Sequence, residues 1–274
     1  MLFKYCTNHH VFNSGKQRLR FHLVSKRTLA VKELSWCTTD SSTVPNKRNK
    51  KPMTDQNAVI KEILPQLPSA RFGIIAAMAK NRIIGVNGVL PWTIPGDREI
   101  FERVTKDRVI IIGRQTYDEN PNGTCVSHVR WCIIISTTAN ESDYDDRKVK
   151  IARSFPEALV LAKTLAKQEE GRPSLGRNDL DCWVGGGERI YEEALRHSSA
   201  RELHLSVVDK EIETTDTESK FTLFPAKYRW DHIFKEESRL VVPKSEEDKA
   251  TPDSYSFTYY VYKRKKAITC AGVV

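Results

Sequence analysis

Between Arg71 and Lys266 the chain alternates short apolar runs with longer amphipathic ones. Phe72–Ala79 (FGIIAAMA) is apolar, small and continuous, the pattern of a strand buried on both faces. Arg108–Ile112 (RVIII), Trp131–Ser136 (WCIIIS) and Leu180–Val184 read as strands in turn. Helical patterns lie between them. Gly96–Lys106 carries Ile100, Phe101 and Val104 on one face, a capping box Ser154-x-x-Glu157 opens a helix through about Lys167, and Gly186–Arg196 forms another. Asn87-Gly88, Pro91 and Pro95-Gly96 mark a long irregular loop. Glu202–Val208 alternates as a half-buried strand. Tyr255–Tyr262 (YSFTYYVY) is β-rich and expected to run antiparallel to its neighbours. Strand–helix alternation followed by late β segments predicts an α/β fold, with a mixed, mostly parallel sheet and an antiparallel C-terminal edge.

Composition bounds this picture. The 274 residues are 39% hydrophobic and 29% charged, values that exclude wholesale disorder. No run approaches the ~18 apolar residues of a membrane span, so no membrane role is expected. The formal net charge of +9 sits entirely in residues 1–51, which hold 11 Lys/Arg against Glu33 and Asp40. The remainder is formally neutral, so nothing argues for nucleic-acid binding by the folded part. Residues 1–52 are basic, rich in hydroxyls and poor in acids. They suit a mitochondrial or plastid transit peptide, or a disordered extension, and no apolar core follows to make a secretory signal. Met53 would start a cytoplasmic form. Residues 53–71 read as a linker, 72–266 as the folded domain and 267–274 as a tail. The six cysteines lack C-x-x-C spacing and look like reduced thiols; no metal site is expected. The sequons at Asn122 and Asn140 are chance matches without a secretory signal.

Candidate chemistry begins with Asp97, a carboxylate on the apolar face of the first helix, with Ile100, Phe101 and Val104. An N-cap role after Pro95-Gly96 explains it, and so does a cleft carboxylate of tuned pKa gripping an amidine-like ligand. Gly113-Arg114-Gln115-Thr116 joins a strand end to a helix start, where free backbone N–H groups and a guanidinium suit phosphate. Gly185-Gly186-Gly187-Glu188-Arg189 lies between a strand and a helix, so its backbone can approach a pyrophosphate closely. It nearly matches G-x-G-x-x-G, but it comes late and no second βαβ half follows. Ser136-Thr137 at a strand end can bond phosphate or cap a turn.

The run Ile74-Ile75-Ala76-Ala77 … Ile84-Gly85-Val86-Asn87-Gly88-Val89-Leu90-Pro91-Trp92 … Pro95-x-Asp97-x-x-x-Phe101 resembles the dihydrofolate reductase family. The five-residue step from Trp92 to Asp97 is similar to its bacterial and plant members. The resemblance covers Phe72 to Lys266 and implies about eight strands flanked by about four helices. It also implies NADPH as cofactor and dihydrofolate as substrate, with hydride to C6 and a proton to N5. Antifolates such as methotrexate are implied as ligands, and a monomer is expected.

By the same resemblance Asp97 binds the pterin edge, Trp92 positions a water beside it, and Ser206 holds it in place of the family's Thr. Ile75, Ala76, Leu90, Phe101, Val184 and Tyr191 surround the substrate. Arg130 clamps its glutamate carboxylate. Ala77, Ile84, Gly85, Gly88, Gly113, Arg114, Gln115, Thr116, Ser136, Thr137 and Arg189 meet the cofactor. Either Gly185-Gly186 or Gly186-Gly187 is the family's Gly pair, and counting back from Tyr191 favours the latter. Two departures stand out. Asn120–Arg130 replaces the usual Pro-Leu-Pro-Gly-Arg-like run, and Lys220–Pro225 lacks the usual acid. The rival readings are a pyrimidine reductase of riboflavin synthesis with the same fold, and a catalytically silent relative.

Overall fold

The computed structural model describes residues 69–119, 126–144, 146–167, 180–244 and 254–266; the N-terminal extension and C-terminal tail expected from the sequence lie outside them. Along these residues run β1 Phe72–Ala79, β2 Ile83–Val86, α1 Pro95–Thr105, β3 Val109–Gly113, α2 Arg114–Asp118, β4 Trp131–Ile135 and β5 Val149–Ala152. They continue with α3 Phe155–Lys167, β6 Cys182–Val184, α4 Glu188–Arg196, β7 Ala200–Val208, β8 Phe221–Leu223, β9 Phe234–Val242 and β10 Phe257–Arg264.

Eight strands form one sheet in the order β5-β4-β3-β6-β1-β7-β10-β9, while β2 and β8 make a separate two-stranded ribbon. Strands β5 through β7 in that order are parallel, and β10 runs antiparallel to both β7 and β9. This is the α/β fold with an antiparallel edge that the alternating pattern predicts. After β1 the chain builds outward through β3, β4 and β5, then returns to insert β6 between β3 and β1. That reversal opens a crevice beyond the carboxyl ends of β1, β6 and β3, the place where open α/β sheets bind ligands.

The continuous apolar runs arise because both faces of these strands are covered. In β3, Val109 and Ile111 face one core with α3 and α4, while Ile110 and Ile112 join Cys132, Ile134 and Tyr117 in another. A third core packs Ile100 of α1 against Ala79, Ile94, Val208 and Phe257. Side-chain volume is tightly matched at the centre of the sheet. The ring of Trp183 fills the space beside Gly73, so a Cβ there would meet it at 2.4 Å.

The termini of α3 show how local signals resolve. Ser154 Oγ accepts the Glu157 N–H at 3.3 Å, as the capping box requires. Glu157 reaches back one residue further than expected, taking the Arg153 N–H at 2.8 Å. Asp181 just before β6 ties α3 to the start of β1: it pairs with Lys163 at 2.8 Å and accepts the Arg71 N–H at 2.7 Å. Strands β2, β5, β8 and β9 are not evident in the hydrophobic pattern. The first three have three or four residues, and β9 (FKEESRLVV) is a polar edge strand.

Replacing Gly73 with Ala should lower unfolding stability by roughly 1–3 kcal/mol, the usual cost of overpacking a filled core. Urea titration reads this directly; unchanged stability would mean that Trp183 is free to move aside.

Candidate functional site

A cleft of about 1090 Å³ lies along the carboxyl ends of β1, β3, β4 and β6, closed on one side by α1 and roofed by the segment around Leu90. Asp97 stands at its inner end. It is the third residue of α1, whose N-cap is Ile94 with no side-chain cap, so the capping explanation fails. Its carboxyl turns into the cleft and accepts a hydrogen bond from Ser206, a residue only 2% exposed. Burial pushes the Asp97 carboxyl above the usual carboxylate range, and the Ser206 bond pulls partly against that shift. Ser206 reaches this point because β7 pairs with β1 in register, setting Ser206 beside Ala77, and with β10, setting it beside Tyr259.

The walls around Asp97 are apolar or committed elsewhere. Ile75, Ala76, Trp92 and Ile94 are buried lining residues, and Phe101 follows Asp97 one helical turn along α1. The indole N–H of Trp92 is buried with no partner among the described residues, a donor suited to water or ligand. Tyr191 donates its hydroxyl to the Ile75 carbonyl at 2.9 Å, tying α4 to β1. Burial raises the pKa of this hydroxyl, so it remains a neutral donor. Tyr259 also lines the cleft, with Oη 2.5 Å from His204 Nδ1, and His204 Nε2 lies 3.2 Å from the buried Glu202.

The other half of the cleft is built largely from backbone. Gly113 ends β3 and donates its N–H to the Gly186 carbonyl at 2.7 Å, so the two loops meet edge to edge. Gly186 has φ +106°, and a Cβ there would come within 2.8 Å of the Tyr191 ring; only glycine fits. Gly187 is the N-cap of α4 and lines the cleft, so that helix's free N–H groups face the cavity. The peptide bond between Gly186 and Gly187 is cis. Arg114, Gln115, Thr116 and Arg189 rim this half, and Arg114 lies 3.7 Å from Asp118.

Ser136 lines the cleft and also holds its own turn. Its hydroxyl accepts the N–H groups of Thr138 and Ala139 at 3.3 and 3.0 Å, capping the turn after β4, whereas Thr137 is exposed in the cleft. Arg153 fixes the same turn, donating to the Ser136 carbonyl at 2.9 Å and to Asn140 Oδ1 at 3.1 Å. Across the cleft, Asn87 and Gly88 adopt positive φ in the turn after β2. The Asn87 side chain accepts the Lys220 N–H at 2.8 Å and donates to Ser219 at 3.2 Å, anchoring the turn to the strand that supplies Phe221. Ile84, Gly85, Gly88 and Leu90 line the cleft from this side, with Leu90 59% exposed at its mouth.

Of the expected site residues, Val184, Gly186 and Arg130 do not line the cleft. Val184 is fully buried in the core under α3 and α4; the wall at that level is Gly185, one residue on. Ile110 and Ile112 already occupy the space beside Gly185, at 3.0 and 3.2 Å from where its Cβ would stand. Gly186 turns inward against Tyr191, leaving Gly185 and Gly187 to face the cavity. Arg130 precedes β4, at the opposite end of the strand from Ser136, and donates its backbone N–H to the Arg108 carbonyl at 2.9 Å. The cleft adds Arg98, Glu102, Thr138, Arg153, Ser154, Lys220 and Tyr259 to the expected set. Arg153 and Ser154 were within reach of sequence reasoning, since the capping box places them at a helix start. Arg98, Glu102 and Tyr259 carry no local signal.

Among the described residues no group of His, Cys, Asp and Glu is placed to hold a metal ion, and no helix is long and apolar enough to cross a membrane. Residues 71–264 match the family model for dihydrofolate reductase. The chain is 29% identical over 166 residues to the dihydrofolate reductase of Drosophila melanogaster, covering 58% of this chain and 83% of that one. It is 28% identical over 151 residues to that of Enterococcus faecium, covering 54% and 78%. A solved dihydrofolate reductase from Enterococcus faecalis, complexed with NADP(H) and RAB-propyl, shares the fold with a TM-score of 0.52 and 20% identity, covering 73% of this chain and all of that one. The half-buried Asp97 at the switch point, the glycine-built half of the cleft and the match across the whole folded region lead to one assignment: the chain belongs to the dihydrofolate reductase family.

Proposed function

We propose that the protein reduces 7,8-dihydrofolate to tetrahydrofolate with NADPH, adding hydride at C6 and a proton at N5. The single observation that carries this reading is Asp97, whose carboxyl, bonded by Ser206 and raised in pKa by burial, stands at the inner end of a cleft whose other half suits phosphate. A reduced nicotinamide cofactor supplies the hydride when bound. Its fit rests on the residues present. Gly113 and Gly187 leave the backbone open, the N-terminus of α4 faces the cavity, and Arg114, Arg153 and Arg189 with Thr137 and Thr138 offer cations and hydroxyls for an additional phosphate. In the Enterococcus faecalis relative NADP(H) was bound.

The chain's own residues then divide the work. Asp97 accepts hydrogen bonds from the 2-amino and N3 edge of the pterin, the donor pair a carboxylate matches. Ser206 fixes the carboxylate's orientation through its hydroxyl. The unpartnered Trp92 N–H suits a water that relays a proton toward N5. Ile94 and Phe101 line the apolar slot beside the ring, and Leu90 lines its mouth. Burial favours the protonated carboxyl, so a proton is held at Asp97 to a higher pH than an exposed Asp would allow.

Oxidation of NADPH should depend on dihydrofolate and be blocked by methotrexate; oxidation that ignores both would remove the proposal. The Asp97→Asn variant should lose at least ~100-fold in turnover at neutral pH while still binding NADPH, read by fluorescence. The same variant should be more stable than the parent. The folded state holds the Asp97 proton more tightly than the unfolded chain, so the stability tied to that proton is lost as pH rises above the ordinary Asp value of about 4. Thermal melts should therefore favour Asn at pH 8 and converge toward acid pH; a constant offset would mean that charge burial is not the cause.

A further inference from the structure

We infer that His204, backed by the buried Glu202 and joined to the cleft through the Tyr259 hydroxyl, stores the proton that the reduction consumes. The inference rests on the reductase reading, in which each turnover takes up one proton. Glu202, His204 and Ser206 alternate along β7 and so share one face, while Leu203 and Leu205 enter the core on the other. Ser206 is engaged with Asp97. Holding Asp97 needs neither Glu202 nor His204, yet their side chains are only 7% and 12% exposed. Taking such a pair out of water costs more than burying an apolar pair of similar size.

The three groups are joined end to end. His204 Nε2 lies 3.2 Å from Glu202 Oε2, and His204 Nδ1 lies 2.5 Å from the Tyr259 hydroxyl. Tyr259 comes from β10, whose antiparallel pairing sets it beside Ser206, and it lines the cleft. A carboxylate behind an imidazole fixes its orientation and stabilises its cation. Of the other neighbours, Lys263 of β10 stands opposite Glu202 in register and pairs with Glu237 of β9 at 2.6 Å. From α1, the charges of Asp97 and Arg103 act on Tyr259. Strand β1 places Ile75 beside His204, and β6 supplies the Trp183 ring, its centroid 4.8 Å from that of the imidazole. Burial pushes the Tyr259 hydroxyl up to about 12, Arg103 working against the rise and Asp97 and Glu202 with it. Tyr259 therefore stays a neutral hydroxyl, able to pass a proton on without keeping a charge.

Two arrangements of hydrogens suit the same heavy atoms. In the loaded one, the His204 imidazolium donates from Nε2 to the Glu202 carboxylate and from Nδ1 to the Tyr259 oxygen, and the Tyr259 O–H is directed to the cleft. On discharge, Tyr259 gives its proton to a cleft water that passes one to N5, and it takes the Nδ1 proton in exchange. His204 is left neutral, with Nδ1 accepting the Tyr259 O–H and Nε2–H still on Glu202. One O–H bond breaks and one forms at Tyr259, one N–H bond is lost at His204, and one proton enters the cleft. Reloading runs the same steps backwards from water once the product has left.

The test is a single turnover of the full chain with NADPH and 7,8-dihydrofolate in weakly buffered solution at neutral pH. NADPH oxidation and proton uptake, the latter from a pH-indicator dye, are followed together. In the parent, uptake should lag behind oxidation, because the proton comes from the store and is replaced afterwards. In Y259F and in E202Q the lag should vanish. Oxidation should slow about tenfold, short of the ~100-fold typical of a lost direct donor because water remains a slower source. KM for both ligands should stay within about twofold of the parent. E202Q keeps the shape and hydrogen bonding of Glu202, so a merely structural role would leave its kinetics unmoved. Urea titration shows whether each variant is folded, and either one alone suffices. No lag in the parent, or a lag that persists in the folded variants, overturns the inference and leaves the reductase reading intact. A parent that does not oxidise NADPH with dihydrofolate overturns the reductase reading itself.

Discussion

Strand β1 is paired along both edges and covered on both faces, and the site takes its positions from that confinement. Its neighbours β6 and β7 are parallel to it, so the loop after β6 and the Ser206 side chain of β7 are both fixed relative to Ala77 by backbone register rather than by side-chain choice. Tyr191 then locks α4 to the same strand through the Ile75 carbonyl. A strand confined in this way cannot carry bulk everywhere. Gly73, Ala76, Ala77 and Ala79 give the space taken by Trp183, by the cleft and by the α1 core. Small residues in β1 therefore serve packing at one end of the strand and ligand access at the other.

The two halves of the cleft solve their tasks with different materials. Where the polyanion would lie, the sequence omits side chains, and Gly113, Gly185 and Gly187 leave backbone facing the cavity. Where the ring would lie, it buries one carboxyl among apolar groups and supplies a single hydroxyl for it. That arrangement costs stability whenever Asp97 is charged. The cost falls on the side chain to which the proposed reaction assigns the ring, the usual trade between a strained or desolvated site and the stability of the whole.

These differences decide what was legible in the sequence. The span of β1 is readable residue for residue, because a strand buried on both faces has no polar interruption. Helix α1 and the strand before Gly113 are nearly as clear, their bounds shifting by one residue. The ribbon of β2 and β8 is not, since its stability comes from pairing across a long sequence separation and from the Asn87 anchor, neither of which leaves a periodicity. Edge strand β9 alternates charges where an interior strand would place apolar groups, as exposed edges do. Asp97 was readable as out of place on an apolar face, but its partner Ser206 lies more than a hundred residues away. Only the pairing of β7 with β1 brings the two together.

The details at the two strand ends share one cause. Val184 was expected in the wall, and Gly185 stands there. The strand ends on the core side, and the next residue, free of a side chain, spans the gap between Ile110 and Ile112 and the cavity. Ser136 lines the cleft, and its hydroxyl oxygen also accepts two backbone N–H groups, because a turn after a parallel strand must satisfy its own donors. In both cases the backbone's requirements shape which groups face the cleft, so that Gly185 stands in the wall and Thr137 is exposed beside Ser136. A motif locates such a site to within a residue or two. Which neighbour faces the cleft is settled by the hydrogen bonds and volumes that the fold must satisfy first.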